Sequence, residues 1–80
     1  MKDQRPPQPK RASEFAVYMG GEIQDMWVKE GDAFTFAHRL VAAYPKSTIR
    51  IDEMAFTDPN NPELQLVRKV AQWIGGQRTL

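Results

Sequence analysis

Two adjacent glycines, Gly20 and Gly21, sit between two apolar-rich segments and constrain this chain more than any other feature. A two-residue hairpin turn of type I′ or II′ needs positive φ, which glycine adopts without steric cost. The flanking residues 14–19 and 22–29 read as its two antiparallel strands. With the glycines as the whole turn, Met19 lies opposite Glu22, Tyr18 opposite Ile23, Val17 opposite Gln24, Ala16 opposite Asp25 and Phe15 opposite Met26. Directly opposed residues share a face. One face then carries Phe15, Val17, Met19, Met26 and Val28, and the other carries Ala16, Tyr18, Ile23, Asp25 and Trp27. The first is the better core, so this register turns Trp27 away from it.

Gly31-Asp32 closes the second strand and offers Asp32 as an N-cap. Ala33, Phe36, Ala37, Leu40, Val41 and Tyr44 then recur at helical spacing until Pro45 ends the run. Residues 48–52 alternate as a third strand with Ile49 and Ile51 inward. After the turn TDPNNP, Asn61 and Pro62 suit the start of a second helix, in which Leu64, Val67, Val70, Ala71 and Ile74 form the buried stripe and which Gly75-Gly76 ends. The expected fold class is α+β: a small single domain over residues 13–80, ββαβα, with a three-stranded mixed sheet and two helices on one face.

Residues 1–12 are expected to be a disordered, basic, Pro-rich arm. Between Met1 and Ala12 there is no apolar side chain other than proline, so ordering this segment would cost entropy that burial does not repay. Four basic residues against Asp3 give residues 1–11 a charge of +3, while the rest of the chain has seven basic and nine acidic side chains. The 80 residues include no cysteine, which removes disulfides and thiolate metal sites and points to the cytoplasm. No apolar run approaches the roughly 20 residues of a membrane span.

No catalytic constellation is evident, and the chain is read as non-enzymatic and free of cofactor and metal. His38 is the single histidine, Ser13 and Ser47 lack a nucleophile's setting, and Asp52 and Glu53 alternate to opposite faces of their strand. What remains is the sheet face away from the helices, where Tyr18, Ile23, Trp27, Arg50 and Asp52 are expected to bind a partner protein or a second copy. The chain is then a regulator, adaptor or inhibitor, of the compact kind that phages and mobile elements encode. The alternative is nucleic-acid binding through Lys10, Arg11, Arg39, Arg68 and Lys69, aided by the sheet aromatics. That alternative lacks a basic face on the body and an RNA-recognition motif.

Overall fold

A computed structural model of the chain describes residues 13–56 and 64–80. It contains β1 (Ser13–Met19), β2 (Glu22–Trp27), α1 (Glu30–Ala43), β3 (Ile49–Phe56), β4 (Leu64–Ile74) and β5 (Gln77–Arg78). The strands form one sheet in the order β2-β1-β3-β4-β5, and every neighbouring pair is antiparallel. The expected ββαβα order, the three-stranded mixed sheet and the second helix are corrected by this arrangement. β2 and β3 run in the same direction, since both are antiparallel to β1, but β1 lies between them and no parallel ladder forms. The expected arm, the TDPNNP turn and the Asn61–Pro62 helix start lie outside the described residues.

Helix α1 begins one turn earlier than its apolar pattern suggests. Lys29 is its N-cap residue and makes no side-chain cap, so Asp32 is not the cap but stands with Glu30 in the first turn, where carboxylates favour the helix dipole. At the other end the Tyr44 N–H donates to the Leu40 carbonyl at 2.7 Å, and Pro45 prevents continuation.

The face that α1 turns to the sheet is built from its smallest side chains. Ala33 and Ala37 are fully buried in one cluster with Phe15, Val17, Ile49, Ile51, Ala71 and Trp73. Alanines at that contact let the helix backbone approach closely, and larger residues fill the flanks: Phe36 packs on Trp27 with ring centroids 5.5 Å apart, and Phe34 on Trp73 at 6.0 Å. The helix is therefore wedged between two indoles, one on β2 and one on β4. No helix among the described residues is long and apolar enough to cross a membrane.

The error over β4 has a physical cause. Along β4, Trp73 pairs with Ile49, Ala71 with Ile51, Arg68 with Glu53 and Gln65 with Ala55. These four residues share the helix-facing side, yet they are spaced three, three and two apart. Register shifts leave Val67 and Val70 unpaired, and each added residue turns the strand's period of two into a local period of three. A doubly bulged strand thus imitates the spacing of an amphipathic helix. Val67 and Ile74, expected on the buried stripe, are exposed, whereas Trp73, which is not on that stripe, is 5% exposed. Gly75 and Gly76, at φ 60° and 85°, form a second type I′ hairpin turn instead of a helix terminus.

Enlarging the spine tests the close seating of the helix. Ala37→Leu should lower the free energy of unfolding by about 1–3 kcal/mol through overpacking, measured by urea denaturation, whereas Val67→Thr on the exposed bulge should change it by under about 0.5 kcal/mol.

Candidate functional site

The Gly20-Gly21 turn forms as expected, with φ of 61° and 87°, and Met19 pairs with Glu22 and Tyr18 with Ile23. Beyond that the register slips. Gln24 is left unpaired as a bulge, so Val17 pairs with Asp25, Ala16 with Met26 and Phe15 with Trp27. Every later residue of β2 changes face. Trp27 turns in beneath the helix, Met26 turns out, and Val28, expected in the core, is 74% exposed past the strand end. The assignment of Trp27 to a partner-binding face is therefore corrected.

The energetics favour the slip. An indole offers roughly 200 Å², and Trp27, partly buried against the core, gains about 2–3 kcal/mol for roughly half of that area at 25 cal/mol per Å². A methionine buried to the same extent contributes about 1 kcal/mol. The surplus of about 1–2 kcal/mol offsets the roughly 1 kcal/mol of one forgone ladder hydrogen bond. The indole Nε1 is buried without a hydrogen-bond partner, which offsets part of that gain.

With α1 on one side, the opposite side of the sheet is left without a helix, and its pairings arrange it in rows. Ile23, Tyr18, Arg50 and Gln72 form one row, Met26, Ala16, Asp52 and Lys69 the next, and Glu14, Met54 and Leu66 the third. Ile74 extends the face toward β5. Four of the five expected contact residues, Tyr18, Ile23, Arg50 and Asp52, thus lie together. Met26, Met54, Leu66 and Ile74 join them unforeseen: Met26 through the bulge, Leu66 and Ile74 because their strand reads as a helix. Met54 alternates with Asp52, and β3 alone marks it.

Electrostatics organise the centre of this face. The Arg50 guanidinium lies 4.4 Å from the Tyr18 ring centroid, and its Nε donates to Asp52 Oδ2 at 2.9 Å. Asp52 is 4% exposed and its Oδ1 has no hydrogen-bond partner. Glu53, one residue on, points to the helix side and accepts from Arg68 Nε at 2.8 Å. Arg68 also reaches Glu30 at 3.4 Å, tying β4 to the start of α1 through an exposed network worth a few tenths of a kcal/mol.

Among the described residues, those expected to contact nucleic acid do not converge. Arg39 is exposed on the helix, Arg68 is engaged by two carboxylates on the helix side, and Lys69 lies on the opposite face; Lys10 and Arg11 are outside the described residues. His38 is exposed, with its ring centroid 5.4 Å from Trp73, and Arg78 lies over Phe34 and Trp73 at 5.3 and 5.7 Å. This cluster closes the flank of the core between α1 and β4.

The sheet edges are guarded. Among the described residues the Gln24 amide donates to the Glu22 carbonyl at 3.2 Å, and Asp25 Oδ1 accepts the Met26 N–H at 2.9 Å, so β2 satisfies backbone groups from its own side chains. β5 pairs only with Trp73 and Ile74, and the rest of the outer edge of β4 carries both of that strand's bulges. Bulges and edge charges oppose pairing with a foreign strand. The open face, and not an edge, is the surface suited to contact. No protein-family model, curated protein or solved structure matches the chain.

Arg50→Met leaves a buried carboxylate without its one hydrogen-bond donor and should destabilise the fold by about 1–3 kcal/mol. Adding Asp52→Leu should restore most of that loss in a double-mutant cycle read by thermal unfolding.

Proposed function

We propose that this chain is a non-enzymatic interaction module that binds a protein partner through the open sheet face, acting in the cytoplasm as a regulator, adaptor or inhibitor. The observation that carries this reading is the composition of the three rows. Ile23, Leu66 and Ile74 are 48%, 50% and 51% exposed, and the half-buried Tyr18, Met26 and Met54 lie among them. Scattered exposed apolar residues are ordinary, but six on one sheet face with charged groups between them have the makeup of a protein contact. The two methionines add adaptable surface.

Base stacking is the weaker use of this face. The Tyr18 ring already has a guanidinium against it, and the face carries Arg50 and Lys69 against Glu14 and Asp52, with no net positive field to gather phosphates. A second copy of the chain is a special case of the protein partner.

Tagged protein incubated with lysate of its own source should retain a partner that survives nuclease treatment and raised salt. Ile23→Asp should reduce retention at least about tenfold, as expected for a charge buried in an apolar contact, with an unchanged melting temperature. Retention that is unaffected by Ile23→Asp, or that vanishes with nuclease, would contradict the reading.

A further inference from the structure

Resting on that reading of the sheet face, we infer that its centre is a slot for a tryptophan side chain of the partner, with the indole N–H donating to Asp52 Oδ1. Ala16 is the smallest side chain on this face and stands between Met26 and Asp52 in the middle row. It is nonetheless fully buried, and its neighbours on this face are larger: Tyr18 on its own strand, Met26 across one ladder, and Met54 diagonally across the other. Methionine is unbranched, with three rotatable bonds, so these two side chains can swing aside and open the space above Ala16 at little cost.

Asp52 lines that space and gives it a chemical preference. Its Oδ2 is satisfied by Arg50, but Oδ1 is buried and accepts nothing. Lys69 lies directly across the ladder and makes no ion pair with it, since the ion pairs of Asp52 among the described residues are confined to Arg50. A buried acceptor left open costs free energy that a correctly placed donor recovers. A second cation is disfavoured there, because Arg50 already neutralises the carboxylate and Lys69 stands beside it. A neutral donor carried on a large apolar body suits the methionine-lined walls, and indole combines the two: an extended ring and an N–H that only donates.

The test uses N-acetyl-tryptophanamide and its 1-methylindole analogue, which lacks the donor, titrated into the full chain and followed by backbone amide NMR shifts. The parent amide should shift Ala16, Met26, Asp52 and Met54, and bind about tenfold or more tightly than the methylated probe. In Asp52→Leu, a variant expected to fold because it removes the buried charge, that preference should disappear. Equal binding of the two probes to the unmodified protein, or no shifts at those four residues, would overturn the indole slot. Neither result touches the wider contact surface, which stands or falls separately on the Ile23→Asp retention experiment.

Discussion

The close seating of Ala33 and Ala37 on the sheet is the contact on which the other features depend. Two small residues one turn apart bring the helix down onto the layer formed by Val17, Ile49 and Ile51. At its sides Trp27 packs against Phe36 and Trp73 against Phe34. Bringing Trp27 to the helix side requires a departure from regular pairing, because the turn alone sends it outward. The bulge at Gln24 serves Trp27, and the two at Val67 and Val70 turn Arg68 inward to Glu53 and Lys69 outward while leaving Ala71 and Trp73 on the helix side.

The same bulges explain what could be read from the amino-acid order and what could not. The elements from β1 to β3 carry local signals of one kind each: alternation, a glycine pair at positive φ, and helical spacing closed by Pro45. Those signals place the elements correctly to within a few residues. A bulge has no comparable signature, since any residue can be the extra one, and its position is decided by which side chains gain most from burial. In β2 that tertiary competition sends an indole inward where the turn alone sends a methionine. In β4 two bulges produce a spacing that belongs by rule to a helix, although Val67, Val70, Trp73 and Ile74 have strand propensity and Gly75-Gly76 repeats the hairpin chemistry of Gly20-Gly21.

For the candidate surface the consequence is an exchange rather than a loss. Tyr18, Ile23, Arg50 and Asp52 stay together because they depend on the first two hairpin pairs and on the regular β1–β3 ladder. Trp27 leaves the face, and Met26 enters it. The surface changes from one dominated by an exposed indole to one lined by methionines around a small residue and a partly satisfied carboxylate. The edges meanwhile carry bulges and side chains that bind their own backbone.

The register slip at Gln24 is the step from which both the core and the contact face follow, and Trp27 reports on it directly. A Trp73→Phe variant leaves Trp27 as the sole indole. Its emission should be blue-shifted and weakly quenched by acrylamide, moving to the solvent-exposed values only on unfolding. Emission and quenching like those of a free indole in water, in the folded protein, would place Trp27 on the open face and contradict the arrangement.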